Sequence, residues 1–245
     1  MGRRCRLQEE LASAELGDAR RVRRLGVLAR RLGAQPRSSI PEACRGWSET
    51  VAAYRLLNSP AVGNEEILSA HRKATIQRAS GSRELLMLQD TTEVDYSGHD
   101  ALEGAGPLAE AERKGFFAHS RLLVAEEEGV IVGLEGSKIW ARSETGISKK
   151  HPAKMRPVEH KESNRWIQGY QRGCELLGEL PPGTRLTVVG DRESDIYEFF
   201  AAHAEQEGKA ADFLVRACQD RALMGGGKLF ETGRQARILG RYCFE

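Results

Sequence analysis

The 245-residue sequence lacks paired cysteine motifs, long apolar runs and an apolar segment behind its basic first residues. Its five cysteines are scattered, odd in number and never spaced as C-x-x-C, so we expect reduced thiols instead of disulfides or a zinc site. No run of about 18 apolar residues is present, so we expect no membrane-spanning helix. The opening "MGRRCRLQEE" is not followed by the hydrophobic core of a secretory signal. We therefore expect a cytoplasmic protein.

Positive charge is concentrated in the first part of the chain. The formal net charge is only +2, but residues 1–37 hold ten arginines and four acidic residues, so this segment is +6 and the rest sums to −4. A basic segment on a mildly acidic body indicates a polyanionic partner. Charge alone leaves a solvated helix face open as the alternative.

The segment "LGDARRVRRLGVLARRLG" (16–33) predicts an amphipathic helix with Asp18 as its N-cap and Gly33 as its C-cap. The apolar residues of its inner stripe are Val22, Leu25, Ala29 and Leu32. Arginines occupy the other faces and are the candidate DNA contacts: Arg20, Arg21, Arg23, Arg24, Arg30 and Arg31. A second helix is expected to start at Ser48 and a third to run from Asn64 to about Ala79. The inward residues expected for the second helix are Trp47, Val51, Tyr54 and Leu57.

Beyond Gly81 the pattern changes to strands alternating with helices. "ELLMLQD" predicts a strand, and "GFFAHSRLLVAEEEGVIVGLEGSKIWAR" predicts a hairpin that turns at Gly129. A helix capped by Ser163, the strand "RLTVVGD", another helix and the strand "ADFLVRA" follow. This order predicts a mixed α/β sheet covered by helices.

Two of the predicted strands end on a carboxylate, Asp90 in the first and Asp191 in "RLTVVGD". If these strands are parallel neighbours, both side chains meet at the carboxyl edge of the sheet, where ligands bind in α/β folds. Two adjacent carboxylates repel unless a divalent cation neutralises them, and Mg²⁺ or Mn²⁺ is the natural candidate for oxygen ligands. A capping or turn aspartate is the simpler alternative.

Six blocks of the sequence together resemble DDE transposases of the insertion-sequence-four family, the cut-and-paste enzymes of bacterial transposons. In order they are "LGDARR", "SIPEACRGWSETVAAYRLLNSPAV", "ELLMLQDTTEVDYSGH", "GFFAHSRLLV", "KESNRW" and "VVGDRESDIYEFF". The resemblance covers residues from about 16 to about 230. It implies double-stranded DNA at transposon ends as the partner, a homodimer on DNA in the full-length form, and a nucleoid-associated bacterial protein.

The same resemblance implies a domain order. Residues 1–78 would form a small all-helical DNA-binding domain and residues 79–218 the first part of a ribonuclease-H-like catalytic domain with an incomplete mixed sheet. Residues 219–245 would begin a β-rich insertion subdomain that is truncated here.

The resemblance also assigns roles to individual residues. Asp90 and Asp191 would be the first two carboxylates of the D-D-E triad and would bind Mg²⁺ or Mn²⁺. The residues that would support the two motifs are Thr91, Thr92, Arg192, Glu193 and Asp195. The family's third carboxylate lies in the pattern Y-x2-R-x3-E-x6-K, but none of the five tyrosines here is followed by Arg at the third position. We therefore expect that this chain alone does not complete cleavage or strand transfer.

Two other functions fit parts of the pattern. "VVGDRESDI" is similar to the magnesium motif of haloacid-dehalogenase-type phosphatases, but that family's nucleophile motif continues as Asp-x-Asp and Thr92 stands there instead. A DNA-binding remnant or inhibitor without chemistry would need only the arginine-rich segment.

Two further features have a structural alternative. A basic stretch is expected either to track a DNA backbone or to form a solvated loop, and its residues are Lys149, Lys150, Lys154, Arg156, Lys161 and Arg165. We expect His119 to be a packing residue without a catalytic role.

Overall fold

The computed structural model describes residues 9–99, 101–110, 112–127, 129–143, 161–238 and 240. Its helices are α1 (Ala19–Ala34), α2 (Ile40–Ala43), α3 (Trp47–Leu57), α4 (Asn64–Ala79), α5 (Asn164–Glu179), α6 (Tyr197–Ala204) and α7 (Leu229–Gln235). Its strands are β1 (Glu84–Asp95), β2 (Gly106–Pro107), β3 (Lys114–Ala125), β4 (Val130–Trp140), β5 (Arg185–Gly190) and β6 (Asp212–Val215). A single 3-10 turn, Arg192–Ser194, follows β5.

Helix α1 begins where its sequence predicts. The Asp18 carboxylate accepts the backbone N–H of Arg20 at 2.7 Å, which confirms the N-cap. The helix ends at Ala34 with Gln35 as its C-cap, so the expected stop at Gly33 is wrong. The Gln35 N–H closes the last turn on the carbonyl groups of Arg31 and Leu32.

The inner face of α3 differs from the expectation. The helix starts at Trp47 after Gly46, whose φ of 101° suits glycine, and not at a Ser48 cap. Its buried residues are Thr50, Ala53 and Leu56. Three of the residues expected inside are exposed instead: Trp47 (81%), Tyr54 (44%) and Leu57 (41%). The true inner face is turned by about one residue, or about 100°, because small side chains let α1 and α3 approach closely.

The six strands form one mixed sheet, as predicted. β1 is central, antiparallel to β3 on one side and parallel to β5 on the other, and β6 extends the parallel part beyond β5. β4 and the short β2 pair with the outer side of β3. Gly129, with φ of 60°, lies in the turn of the β3–β4 hairpin, which confirms that prediction.

Strand β1 does not end at Asp90, so that prediction is wrong. It continues to Asp95 because β3 is long enough to pair with it from Ser120 opposite Asp90 to Gly115 opposite Asp95. What does stop near Asp90 is burial: alternate residues are buried up to Gln89 and none is buried beyond it. The parallel partner β5 ends at Gly190, directly before Asp191.

Helix α4 belongs to both groups of buried residues. Ile67 and Ala70 pack with the N-terminal helices, whereas Ile76 and Ala79 pack with the sheet and α5. The expected domain boundary at residue 78 therefore falls in the last turn of a helix that joins the two parts.

The described residues after β6 contain one isolated bridge, between Ala222 and Lys228, and helix α7. The β-rich insertion expected from residue 219 stays a prediction. Within the described ranges, no helix has the length and apolar character needed to cross a membrane.

Candidate metal centre and nucleic-acid interface

The structure brings the two predicted carboxylates to the same end of the sheet. The last paired residues of the parallel strands β1 and β5 are Leu88 and Val189, and Asp90 and Asp191 each lie two positions further. Neighbouring strands lie about 4.7–4.9 Å apart, so the two backbone segments that carry Asp90 and Asp191 start from adjacent positions in the sheet. Both residues are exposed.

Each aspartate has one local hydrogen bond from the backbone. Asp90 Oδ1 accepts the N–H of Thr91 at 2.8 Å, and Asp191 Oδ1 accepts the N–H of Glu193 at 2.9 Å. Asp191 thereby caps the 3-10 turn, so the simpler capping role applies to it. The described residues make no other hydrogen bond or ion pair to either carboxylate.

This donor set fits a hard divalent cation with two protein ligands. One oxygen of each carboxylate accepts a backbone N–H, both residues are exposed, and carboxylate oxygens are the ligands that Mg²⁺ and Mn²⁺ prefer. In the part of the chain that the structure describes, no group of three or more His, Cys, Asp or Glu side chains could surround an ion. The pair would thus hold a metal that keeps several positions open.

Arg165 connects the two aspartate-bearing segments, a role that sequence reasoning did not assign to it. Its Nε donates to Thr91 Oγ1 at 2.9 Å, and its Nη2 forms an ion pair with Glu193. A third donor, Nη1, reaches the carbonyl oxygen of Glu162 at 2.8 Å. The side chain is only 11% exposed, so it is held inside the molecule and does not lie free on a DNA-facing loop.

His119 is fully buried and lies behind the site. Its Nδ1 contacts Thr91 Oγ1 at 2.9 Å, its Nε2 contacts Gln89 Oε1 at 3.1 Å, and its ring stands edge-on to Trp166. Burial, followed by the charge of Arg165, lowers the pKa of His119 to about 4. The packing interpretation of His119 is therefore confirmed, with a hydrogen-bond role added.

The remaining motif residues divide into surface and buried positions. Thr92 and Arg192 are exposed, and the Arg192 carbonyl oxygen accepts the Sγ–H of Cys218 at 3.4 Å. Glu193 is half-exposed and carries the ion pair with Arg165.

Asp195 is buried and holds the segment after β6. It accepts the backbone N–H groups of Cys218 at 2.6 Å and Gln219 at 2.7 Å, and it pairs with Arg221 at 2.5 Å. Burial alone would raise the pKa of Asp195, but the two backbone donors and the Arg221 charge outweigh it, so the pKa lies below its ordinary value. Asp195 is therefore a buried structural residue that holds the segment of Cys218, Gln219 and Arg221.

The six candidate arginines of α1 do not have equal freedom. Arg31 makes a two-bond ion pair with Glu49, at 3.1 and 2.9 Å, and this pair, together with the N–H of Arg45, lowers the pKa of Glu49 to about 2. Arg21 donates to the Leu16 carbonyl oxygen at 2.9 Å.

Arg20 pairs with the Asp18 cap at 3.1 Å. Arg23, Arg24 and Arg30 are exposed and make no hydrogen bond or ion pair with the described residues. These three are therefore free to meet an external anion.

The N-terminal helices also match a known protein family. Residues 5–62 match the family described as transposase DNA-binding. The match covers about a quarter of the chain and includes α1, α2, α3 and all six candidate arginines. It supports a transposase that binds DNA.

The second basic stretch is only partly described. Lys149, Lys150, Lys154 and Arg156 lie outside the described residues. Lys161 pairs with Glu198 at 3.2 Å, so this lysine is engaged within the molecule.

Proposed function

We propose that this chain is a DDE transposase of the insertion-sequence-four family, which binds transposon ends through α1–α3 and carries the first two catalytic carboxylates, Asp90 and Asp191. The observation that carries the proposal is a combination within one chain. Residues 5–62 are similar to transposase DNA-binding segments, and two carboxylates each lie two positions beyond the last residue pair of the parallel strands β1 and β5.

The sheet topology supports a ribonuclease-H-like catalytic domain. An antiparallel group, β4–β3–β1, is extended by the parallel strands β5 and β6 on the other side of β1, and α5 connects β4 to β5. Helix α5 packs its buried side against β1 and β5, so the exposed end of these strands is held rigidly.

The residues of the site prepare the carboxylates for a metal. The N–H groups of Thr91 and Glu193 each donate to one carboxylate oxygen. Asp90 and Asp191 would hold Mg²⁺ or Mn²⁺, which would supply Lewis-acid chemistry for the attack of a water or a 3′-hydroxyl on a phosphodiester. Because the 245 residues lack the Y-x2-R-x3-E-x6-K pattern, this chain by itself binds DNA without completing cleavage.

DNA binding is tested by fluorescence anisotropy with a labelled duplex taken from the terminal repeats that flank the gene and with a scrambled duplex of equal length. Affinity falls steeply between about 50 and 200 mM salt, because each phosphate contact contributes about −0.9 to the logarithmic slope. The end duplex binds more tightly than the scrambled one. No binding at low salt, or binding indifferent to salt, would overturn the proposal.

A DNA-binding remnant or inhibitor without chemistry is the second candidate. It is favoured by the finding that the described residues around Asp90 and Asp191 supply no third acidic ligand. The two candidates differ in expected metal binding. A transposase domain binds Mn²⁺ through both aspartates, whereas a remnant without chemistry is expected to show no Mn²⁺ binding that depends on them. Isothermal titration of the chain with Mn²⁺ separates them.

A further inference from the structure

One guanidinium group ties together the two segments that carry the candidate metal ligands. Thr91 follows Asp90 and gives it a backbone N–H, while the Thr91 hydroxyl accepts Nε of Arg165. Glu193 likewise gives its backbone N–H to Asp191, while its carboxylate pairs with Nη2 of Arg165. Each aspartate is thus linked to Arg165 through one intervening residue.

The geometry of Arg165 makes this linkage rigid. Three different donors of one planar group reach Thr91, Glu193 and the Glu162 carbonyl oxygen at the start of α5. The guanidinium also lies 5.8 and 5.6 Å from the ring centres of Trp140 and Trp166. A lysine carries the same charge but is a point donor on a flexible chain, so it cannot hold all three partners at once.

The Thr91 side of the linkage is anchored in the core. The Thr91 hydroxyl contacts buried His119, and His119 contacts buried Gln89 at 3.1 Å. The hydrogen-bonded groups therefore form a chain from Arg165 through Thr91 and His119 to Gln89. Arg165 is therefore anchored to β1 through Thr91, and its ion pair with Glu193 holds the segment after β5 next to β1.

We propose that Arg165 is a positioning residue that sets the separation and orientation of Asp90 and Asp191 for metal binding. This inference rests on the proposed function, because it concerns the same carboxylate pair. Arg165 itself touches neither carboxylate. It acts through Thr91 and Glu193.

The test measures Mn²⁺ binding by the whole 245-residue chain. Binding is detected as the loss of the free-ion signal in electron paramagnetic resonance. Outer-shell partners typically contribute 10–100-fold to metal affinity, so Arg165→Lys is expected to weaken Mn²⁺ binding by about tenfold. Glu193→Gln, which removes the ion pair but keeps the backbone N–H, is expected to weaken it by a smaller factor. All variants are compared at a temperature where circular dichroism shows them folded.

Arg31→Lys is the matched control. Arg31 makes a two-bond ion pair with Glu49, at 3.1 and 2.9 Å, and its side chain is 16% exposed. Neither residue contacts Thr91, Glu193 or Glu162 in the described structure, so the replacement weakens a comparable partly buried ion pair and leaves Mn²⁺ binding within about twofold of the original.

The outcomes separate the two levels of inference. If Asp90→Asn with Asp191→Asn leaves Mn²⁺ binding intact, the proposed metal site fails whatever Arg165 does. If that double variant abolishes binding but Arg165→Lys and Glu193→Gln bind as the original chain does, the positioning role is overturned and the proposed function stands. An equal loss in Arg31→Lys would show a general stability effect and also overturn it. Should Arg165→Lys not fold, Glu193→Gln decides.

Discussion

Asp90 and Asp191 each lie two residues beyond Leu88 and Val189, the last pair that joins the parallel strands β1 and β5. Two exposed carboxylates thereby lie just beyond the end of the β1–β5 pairing, on neighbouring chain segments. Without a cation their charges repel, and each has only one backbone N–H donor to offset this. A divalent ion that neutralises both would stabilise the folded chain, and this gives a direct measurement.

Replacing either carboxylate with its amide is expected to remove stabilisation by Mn²⁺. At a Mn²⁺ concentration ten times the dissociation constant, the original chain gains about 1.4 kcal/mol in the free energy of unfolding. Asp90→Asn and Asp191→Asn lose most of this gain and, in EDTA, are at least as stable as the original because repulsion is removed. Urea unfolding with and without Mn²⁺ measures both effects.

Asp212→Asn provides the control for that experiment. Asp212 is an exposed carboxylate at the start of β6, where it pairs with Thr187 near the other end of β5. Its variant keeps the full Mn²⁺ stabilisation. If all three variants respond alike, or if the original chain is not stabilised, the carboxylate pair is not a metal site.

The arginines of α1 are expected to fall into two groups by experiment. Arg23→Ala, Arg24→Ala and Arg30→Ala remove exposed charges without internal partners, so each that contacts a phosphate lowers the salt slope of DNA binding by about 0.9 and leaves stability unchanged. Arg31→Ala removes the pair with Glu49 and lowers the urea midpoint instead. Anisotropy and urea unfolding on the same samples measure the two quantities.

Glu49→Gln distinguishes the structural role of Arg31 from a DNA contact. It breaks the same ion pair but leaves the arginine in place. We expect a lower urea midpoint without weaker DNA binding. A salt slope reduced by Arg31→Ala as much as by Arg23→Ala would contradict this division.

Local periodicity predicted the elements but not every face or end. The 3.6-residue spacing located α1 and its Asp18 cap, because both signals lie within one turn. For α3, Trp47 was expected inside, whereas the buried residue is Ala53, which packs in the same cluster as Leu25 and Leu28 of α1. The end of β1 was missed because residues beyond Asp90 stay in the strand only through pairing with β3, about 28 positions away for Thr91 and His119.

The candidate site was predictable in part for a similar reason. Asp90 and Asp191 could be paired from sequence because their strands were expected to be parallel neighbours, and the register places each aspartate two positions beyond the last pair of β1 and β5. Arg165 could not, because its role depends on partners 74 and 28 positions away that no local pattern connects. The basic composition around it instead indicated a solvated or DNA-facing loop.

The buried carboxylate of Glu135 is expected to hold α4 and α5 on the sheet. Its side chain is fully buried and pairs with three partly buried arginines, Arg72 at 2.9 Å, Arg121 at 2.6 Å and Arg172 at 2.8 Å. Glu135→Gln is expected to lower the free energy of unfolding by about 3 kcal/mol, since removing one partner of a buried pair leaves the others uncompensated. Urea unfolding measures it.

Glu175→Gln is the control for the Glu135 cluster. Among the described residues, Glu175 pairs with Arg172 alone, at 2.5 Å, and its side chain is 64% exposed. Its replacement changes the free energy of unfolding by less than about 1 kcal/mol. Equal effects of the two substitutions would show that burial of Glu135 adds nothing to the stability.

His71 joins the N-terminal segment, α4 and β4 through its two ring nitrogens. Nδ1 donates to the Glu10 carboxylate at 2.9 Å, and Nε2 accepts the backbone N–H of Leu134 at 3.0 Å. Burial lowers the pKa of His71; the Glu10 charge opposes this shift and the Arg78 charge adds to it. Protonation would place a second N–H against the Leu134 donor, so the folded state favours the neutral ring.

Stability is expected to decrease as the pH falls below about 6.5, the ordinary pKa of histidine, because the unfolded chain then takes up a proton that folded His71 resists. The loss continues down to the lowered folded pKa. Urea unfolding at about pH 7.5 and pH 5.5 measures it, and His71→Gln narrows the difference between the two values. His119 contributes in the same direction and keeps its share in that variant. An unchanged difference in His71→Gln would exclude His71 as a source of the pH dependence.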